Sequence, residues 1–414
     1  MTDKALPEIP ETTSPVVSNE PPRELRINFE LDGRTVVAGT VEDSIRFLVS
    51  TRHDIFRTLF IQSFPLFTTA PELFSLFDRL LESSSGGRRI GIRALRQDWL
   101  HVLDASDIAQ IRSSPQSHTG TARSPFSEEV EVFMASRSQP SPTFSRSSLG
   151  SGKVSRPSSD SLAAALTTLE AELFSRVTYV DCMTYLRDSP STVPSNIREI
   201  LETRIKIKDW VIITVLQARD ASSGTESSSA RAAMYRFFVQ IALRCHKIGN
   251  FSSAFAIAGA LHSHYFNSLP ITRPQARWRS DGQKRLEELY TLAAYRKALE
   301  KWNGPCIPVL DTYLREWTTS FKPSHIQKVD DEGFSWVDYR RCAEIRSAMG
   351  SILRYRHHLP NVRGGHDPDT MHYLDSRLNR NWETIDLDKM GKAYEEKEHE
   401  EDKHRSVGYP SKPR

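Results

Sequence analysis

Apolar side chains that recur every three or four residues dominate most of this chain, and they restrict it to a mainly helical fold. The clearest series is Leu162, Leu166, Leu169, Leu173 and Val177, whose spacing places all five side chains on one face of a helix. No strand is predicted after residue 160. Helices of the same pattern are predicted at Ile197–Ala218, Ala230–Ile248, Ser252–Ser263, Gln283–Trp302, Val309–Phe321 and Phe334–Tyr355.

A shorter region nearer the N-terminus combines a hairpin with helices. Residues 25–37 alternate apolar and polar side chains on either side of Asp32-Gly33, a pair that favours the tight turn of a β-hairpin. Helical spacing follows over residues 41–103. Within it Thr69 and Glu72 are spaced as a capping box at the start of a helix.

Composition divides the chain into five parts. Residues 106–158 are rich in serine and poor in aliphatic side chains, which predicts a disordered linker. Residues 1–22 and the charged residues 396–414 are predicted to be disordered because they cannot bury enough apolar surface. The remaining parts, 23–105 and 159–395, are predicted to fold. The expected fold class is therefore all-α, with two helical modules joined by a disordered linker.

Several function classes are disfavoured by composition. A net charge of +3 over 414 residues gives no indication of nucleic-acid binding, and no apolar run is long enough to span a bilayer. The four cysteines form no CxxC pattern, which favours a reducing, cytoplasmic location without a metal site. No phosphate-binding loop or hydrolase motif is present, so no cofactor is expected. The acidic run Asp330–Glu332 is interpreted as the start of a helix. A helical chain without catalytic motifs points to protein recognition.

Two stretches resemble the Ras guanine-nucleotide exchange factors. The segment LFIQSFPLFTTAPEL, residues 59–73, resembles the N-terminal Ras exchanger motif module of that family, with Ala70 as an extra residue. Residues from about 160 to 359 resemble the Cdc25-homology catalytic domain, through pieces that occur in the family's order. These pieces are Leu169–Phe174, Trp210-Val211, Ile241–Cys245, Gly249–Ser253, Ala256–Leu261, Tyr295-Arg296, Pro305–Pro308 and Tyr339–Ile345.

The resemblance implies a regulator that releases GDP from a Ras-like small GTPase of the Ras or Rap type, without covalent chemistry. In the family, a projecting helical hairpin opens the switch segments of the GTPase. The likeness assigns its helices to Val309–Phe321 and Phe334–Tyr355, with Lys322–Gly333 as their connection. The N-terminal module is expected to pack against the base of this hairpin. Such a protein would act in the cytoplasm and reach the inner face of a membrane only through its GTPase.

The resemblance also assigns individual residues. Trp317, Thr318, Phe321 and Lys322 fall at the end of the first hairpin helix, where the family acts on the switch segments. The family has a bulky aliphatic residue where this chain has Thr318, and a glutamate where it has Lys322. Either an aromatic residue takes over the steric role or exchange is slow. The implied GTPase contacts are Trp210, Leu261, His262, Leu292, Val309 and Arg315.

Other interpretations of the same residues stay open. Trp210 and Trp317 are also compatible with a place in the core, where tryptophan is commonly found. The departures at Thr318 and Lys322 are also compatible with a degenerate exchange domain that binds a GTPase as a scaffold without discharging it. A third alternative is a helical adaptor unrelated to GTPases, which would connect partners through the serine-rich linker.

Overall fold

The computed structural model of the protein describes residues 25–30, 35–51, 53–113, 156–188, 192–220, 222–277, 284, 290–359, 367–380 and 384–407. Helices up to residue 113 are α1 (Val41–Ser50), α2 (Asp54–Ser63), α3 (Ala70–Glu82), α4 (Gly86–Leu100) and α5 (Ala105–Ser113). Later helices are α6 (Ser159–Arg176), α7 (Tyr179–Asp188), α8 (Ser195–Leu216), α9 (Ser228–Lys247), α10 (Phe251–Leu261), α11 (His264–Asn267), α12 (Thr272–Arg277), α13 (Leu292–Glu300), α14 (Leu310–Ser320), α15 (Tyr339–Leu353), α16 (Pro368–Leu378) and α17 (Leu387–Val407). The strands are β1 (Ile27–Phe29), β2 (Val36–Gly39), β3 (Gln327–Val329) and β4 (Ser335–Asp338). The prediction of a mainly helical fold with a short N-terminal hairpin is confirmed.

The N-terminal elements form where the local sequence signals predict them. β1 and β2 pair antiparallel with Ile27 opposite Gly39, while the predicted Asp32-Gly33 turn lies outside the described residues. At the start of α3, the Thr69 hydroxyl accepts from the Glu72 backbone N–H, and the Glu72 carboxylate accepts from the Thr69 backbone N–H at 2.9 Å. The capping box is therefore confirmed, and it satisfies two backbone donors that the helix itself cannot.

One sheet joins the two halves of the chain. Its strand order is β1-β2-β4-β3, and every neighbouring pair is antiparallel. β4 therefore lies between β3, with which it forms a β-hairpin, and β2 from the N-terminal region. The expectation that residues after 160 contain no strand is therefore wrong. Three- and four-residue strands carry too little periodicity to be recognised in sequence. The pairing of Ala38 with Asp338 also joins two residues that are 300 positions apart in the sequence.

The second helix of the hairpin begins five residues later than predicted. Phe334 was expected to start it, but the backbone groups of β4 pair with β2 and β3, and α15 starts at Tyr339. Asp338 is the residue that caps α15, through a hydrogen bond from the backbone N–H of Arg341 to its carboxylate at 2.9 Å.

Asp330 closes the β3–β4 turn instead of starting a helix, so the helix-start interpretation of Asp330–Glu332 is wrong. Its carboxylate accepts from the backbone N–H of Phe334 at 2.8 Å and from the indole N–H of Trp336 at 2.6 Å. These donors favour the ionised form, so the hydrogen bonds from Trp336 and Phe334 lower the pKa of Asp330. Gly333 provides the positive φ of 83° that the turn requires.

Two hydrophobic clusters form the core. The larger cluster contains the N-terminal helices, α7, the hairpin helices α14 and α15, and parts of α6, α8 and α10. The second cluster is built from α8, α9 and α10 with parts of α6 and α16. Because the N-terminal elements and the hairpin share one cluster, removing either would expose apolar surface of the other.

Two predicted boundaries differ from the structure. The disordered linker was expected from residue 106, but α5 extends to Ser113, and residues 114–155 lie outside the described part of the chain. The charged tail was expected to be disordered from residue 396. This is wrong for residues 396–407, which belong to α17. The reason is Glu398, one acid of a highly charged run that is buried against Arg231. Residues 408–414 are not described.

Candidate functional site

The helical hairpin consists of α14, the β3–β4 hairpin and α15. The predicted first helix, Val309–Phe321, differs from α14 by one residue at each end. The helix ends where Lys322-Pro323 follows, because the residue before a proline disfavours helical backbone angles, and Phe321 is already extended. Pro323–His325 form a short 3-10 helix before β3.

The base of α14 is connected to α8 by a mostly buried ion pair. The guanidinium of Arg204, on α8, contacts the carboxylate of Asp311 in the first turn of α14. Beside it, the backbone N–H of Val309 donates to the buried hydroxyl of Tyr295 at 2.9 Å. Separating a buried pair leaves an uncompensated charge, so this contact opposes movement of α14 away from α8.

A second buried carboxyl lies behind this ion pair. Glu170, on α6, is fully shielded from solvent, and burial raises its pKa to about 7 against the opposing effects of Ser252 and Arg204. Its surroundings also include Leu310 at the start of α14. The charge of Glu170 therefore changes near neutral pH, at the place where α14 leaves the core.

The four predicted wedge residues have different environments. Trp317 is buried, with its ring centroid 6.2 Å from that of Tyr313, which agrees with its interpretation as a core residue. Thr318 is half-buried, and its hydroxyl donates to backbone carbonyls of α14. Phe321 is also half-buried beneath the guanidinium of Arg341, 5.2 Å from its ring centroid. Of the four, Lys322 alone is fully exposed.

Three of the predicted GTPase contacts lie inside the core. Trp210 and Leu261 are buried in the second cluster, where the Trp210 ring packs edge-on against Phe238 at 5.1 Å. Val309 is buried in the first cluster. Each fills a space between helices in this conformation, and its assignment to direct GTPase contact stays a prediction. Their neighbours form the surface.

The other three predicted contacts are accessible. The side chain of Arg315 is 79% exposed, and it pairs with Asp311 one turn earlier at 3.1 Å. Leu292 is 44% exposed at the start of α13. The half-buried ring of His262 stacks on Tyr290 with centroids 4.8 Å apart and an interplanar angle of 5°. Their role in binding a partner stays a prediction.

Sequence reasoning missed three residues of the same surface. Ile205 is 57% exposed on α8, Tyr290 is 37% exposed, and Lys208 is half-buried one turn after Ile205. Burial and the nearby charges of Arg204 and Arg315 lower the pKa of Lys208. The sequence held no signal for Ile205, because only burial identifies the stripe of α8 that faces the core. That stripe is Ile200, Arg204, Ile207 and Val211.

Gly259 allows this surface to form over α10. A Cβ at this position would lie 3.2 Å from the ring of Tyr290 and 3.7 Å from Cε of Lys208. The absence of a side chain therefore lets an aromatic ring and a lysine from different elements approach the same point. We call Ile205, Lys208, Tyr290, Leu292 and Arg315 the α8–α14 surface. It combines exposed apolar groups with two cations, next to the base of the hairpin.

The comparison with known families decides what kind of domain contains this hairpin. Residues 161–340 match the RasGEF domain, a range that covers all of α14, the β3–β4 hairpin and the first residues of α15. The chain carries a RasGEF domain. The N-terminal elements lie outside the matched range, so their identity as a Ras exchanger motif module stays a prediction.

Relatives of the RasGEF domain come from distant organisms. The chain is 29% identical over 168 residues to Rap guanine nucleotide exchange factor 1 of Homo sapiens, covering 39% of this chain and 14% of that protein. It is 26% identical over 217 residues to guanine nucleotide exchange factor SDC25 of Saccharomyces cerevisiae, covering 47% and 16%. It is 22% identical over 256 residues to Ras guanine nucleotide exchange factor M of Dictyostelium discoideum, covering 58% and 25%. The chain thus spans a quarter or less of these relatives' length.

Two further observations concern ligands. Among the described residues, no three His, Cys, Asp or Glu side chains gather in a way that could hold a metal ion. Within the same residues, none of the helices is long and apolar enough to cross a lipid bilayer.

Proposed function

We propose that this protein is a guanine-nucleotide exchange factor for a Ras-like small GTPase, acting in the cytoplasm. The observation that carries the proposal is the RasGEF match, because residues 161–340 contain α14, the β3–β4 hairpin and the start of α15, most of the element that the family uses on its GTPase. The three relatives above are all named as guanine nucleotide exchange factors. The proposed activity requires neither a cofactor nor a covalent step, so the protein would be a regulator of an enzyme.

The proposed mechanism is a shift of the GTPase between two conformations. A protein that binds the nucleotide-free form more tightly than the loaded form must, by linkage, weaken nucleotide binding by the same factor. A hairpin that opens the switch segments needs a fixed position, because a mobile element would lose binding energy to its own ordering. The Arg204–Asp311 pair and the β2–β4 pairing support such a position at two separate points.

We further propose that the GTPase is of the Ras or Rap type and contacts the α8–α14 surface. Aromatic and arginine side chains often dominate binding energy in protein interfaces, and this surface offers Tyr290 and Arg315. Its exposed aliphatic side chains, Ile205 and Leu292, would be shielded from water by the partner. Lys322, at the end of α14, would lie closest to the nucleotide.

A second candidate function is GTPase binding without nucleotide release. It is favoured by Lys322 and by Thr318, whose hydroxyl is bonded to its own helix. Where the family has a glutamate, a lysine would attract the phosphates of the nucleotide instead of competing with them. The unrelated adaptor is disfavoured by the RasGEF match.

The test is the release of a fluorescent GDP analogue from Ras-type and Rap-type GTPases, with and without the full chain. We expect acceleration for at least one of them. Stable binding to a nucleotide-free GTPase without acceleration would support the scaffold, and no binding to any of the GTPases would refute both functions.

Two pairs of variants make the test specific. Ile205→Asp is expected to slow the accelerated release about tenfold, the loss typical of an interface contact. Ile55→Asp is its control, because Ile55 is an isoleucine on α2 that is 82% exposed, more than the 57% of Ile205. Lys322→Glu is expected to increase release severalfold by restoring the family's acid, whereas Lys328→Glu, an exposed lysine of β3, is expected to leave it unchanged. Equal effects within either pair would contradict the assigned contact surface.

A further inference from the structure

The first half of α4 carries an exposed cluster of cations that the exchange activity does not use. Arg88, Arg89 and Arg93 are exposed, and Ile90 between them has 69% of its surface accessible. We call these four residues the α4 patch. No acidic residue lies in the first turn of α4, and the sequence from Gly86 to Gln97 contains none.

These arginines do not stabilise the helix that carries them. The N-terminus of a helix has a partial positive charge, so cations close to the first turn, here Arg88 and Arg89, are disfavoured. The residue before the helix, Ser85, makes no side-chain capping bond, and Gly86 and Gly87 are poor helix formers. The patch is therefore present in spite of its local cost.

Among the residues that the structure describes, the other charges on α4 have ion-pair partners, and these three do not. Arg96 contacts Asp78 on α3 at 2.8 Å, and Asp98 contacts Arg57 on α2 at 2.6 Å. Considering only residues that the structure describes, no carboxylate lies within 4.0 Å of the guanidinium groups of Arg88, Arg89 or Arg93. The contrast leaves three cations in the first half of α4 that no described carboxylate compensates.

Arg89, Ile90 and Arg93 have a fixed orientation because the opposite face of α4 is in the core, whereas Arg88 lies in line with Ile92 at the exposed start of the helix. Ile92, Leu95 and Trp99 are buried in the larger cluster. Close packing against α1 is also needed near the patch, since a Cβ at Gly91 would lie only 2.6 Å from the side chain of Val49. The exposed arginines and Ile90 are thus carried by a helix that is packed against the core.

We propose that the α4 patch binds the anionic surface of a phospholipid bilayer. Anionic headgroups supply the missing negative charge, and Ile90 can enter the boundary between headgroups and acyl chains. A stable protein partner would need about 800 Å² of surface from this side, including an apolar centre, and the patch offers one aliphatic side chain. A nucleic acid would compensate the charge but would leave Ile90 exposed.

The expected affinity follows from the charge. Each cation near an anionic leaflet strengthens binding by about fivefold, so three contribute about a hundredfold. Binding of this strength is weak and is sensitive to salt, because the interaction is screened within about 8 Å at physiological ionic strength. The interaction would supplement, and not replace, recruitment by a GTPase.

The experiment is co-sedimentation of the full chain with two kinds of vesicle. One kind is phosphatidylcholine alone, and the other contains about 30% phosphatidylserine, so that about one lipid in three is anionic. Wild-type protein is expected to bind only the anionic vesicles and to dissociate in 0.5 M NaCl, where screening is nearly complete. The triple variant Arg88→Glu, Arg89→Glu, Arg93→Glu is expected to lose at least about 30-fold in partitioning. The helix dipole favours acids at positions 88 and 89, and all three side chains are exposed, so unfolding would not explain this loss.

Two controls complete the design. Reversing three exposed lysines elsewhere, Lys328, Lys389 and Lys392, makes the same change in net charge and is expected to preserve binding. Ile90→Ser is expected to weaken vesicle binding several-fold, and the binding that remains is expected to keep its dependence on salt. Equal vesicle binding by the wild type and the arginine triple variant would overturn the proposal. A second result would also overturn it: the protein does not bind vesicles but binds polyglutamate through the three arginines. That result would indicate that the patch binds an acidic protein.

Discussion

Tyr339, the first residue of α15, is a buried side chain through which the N-terminal elements contact the hairpin. It is fully buried, and its hydroxyl donates to the Ser44 hydroxyl of α1 at 2.9 Å. Its ring meets Phe56, Phe60 and Phe67 with centroids 4.8, 6.3 and 5.9 Å away. We predict that Tyr339→Ala separates the start of α15 from the N-terminal elements.

The expected loss in the free energy of unfolding can be divided into two parts, one for the hydroxyl group of Tyr339 and one for its ring. Tyr339→Phe removes one buried hydrogen bond, and Ser44 keeps its own bond to the Thr40 carbonyl at 2.7 Å, so the expected loss is about 1 kcal/mol. Tyr339→Ala also removes the ring from the three phenylalanines, and large-to-small changes of this kind cost about 3–5 kcal/mol. Ser44→Ala in combination with Tyr339→Phe should show a coupling energy of about 1 kcal/mol.

The assay is hydrogen exchange of backbone amides, with urea unfolding to measure stability. Phe238→Ala is the matched control, because Phe238 is equally buried but packs against Trp210 in the other cluster. Tyr339→Ala is expected to lose protection in β2, β4 and the first turn of α15, whereas Phe238→Ala retains it. If exchange activity is present, Tyr339→Ala should reduce it more than a control of equal stability.

One result would refute this reasoning. If β4 keeps its protection in Tyr339→Ala, the sheet and the remaining contacts, such as the hydrogen bond from Arg346 to Gln62, hold the hairpin to the N-terminal elements, and the aromatic contact is not needed. An isolated fragment from residue 156 onward with full exchange activity would likewise show that the N-terminal contacts do not support the hairpin.

Two further predictions concern buried charges. Because the pKa of Glu170 is raised to about 7 in the folded state, from an ordinary value of about 4.5, its unfavourable ionisation lowers stability progressively between pH 4.5 and 7. Glu170→Gln should remove this loss and be more stable than wild type by up to about 3 kcal/mol at pH 8, but not at pH 4, in urea unfolding. Glu398→Gln should leave the buried guanidinium of Arg231 uncompensated and weaken the docking of α17 by about 3–5 kcal/mol, which hydrogen exchange over residues 387–407 would detect. Unchanged protection there would contradict the importance of this pair.

The helices were largely predictable because their signals are local. Apolar spacing and the capping box depend on residues three or four positions apart, so α3, α6, α8, α9 and α10 could be predicted to within a few residues of their ends. The family resemblance rests on short motifs in a fixed order, and these are also readable without a structure.

The sequence did not reveal which side chains face outward at the candidate site. Trp210, Leu261 and Val309 were assigned to an interface by position, but each is apolar and fits equally well between helices. Only the packing of α8 on α9 and α10 decides that Trp210 is inside and Ile205 is outside. Spacing alone would allow the opposite rotation of a helix that is apolar on most sides.

Long-range pairing was likewise decided by tertiary structure. β4 and β2 are separated by about 300 residues, and neither strand is long enough to show a pattern that specifies its partner. Glu398 could not be distinguished from the acids around it until its contacts with Arg231 and the backbone N–H groups of Ile271 and Thr272 were seen. The sequence therefore determines the helices and the family of this protein, whereas the support of the hairpin, the surface beside it and the docking of α17 depend on contacts between distant segments.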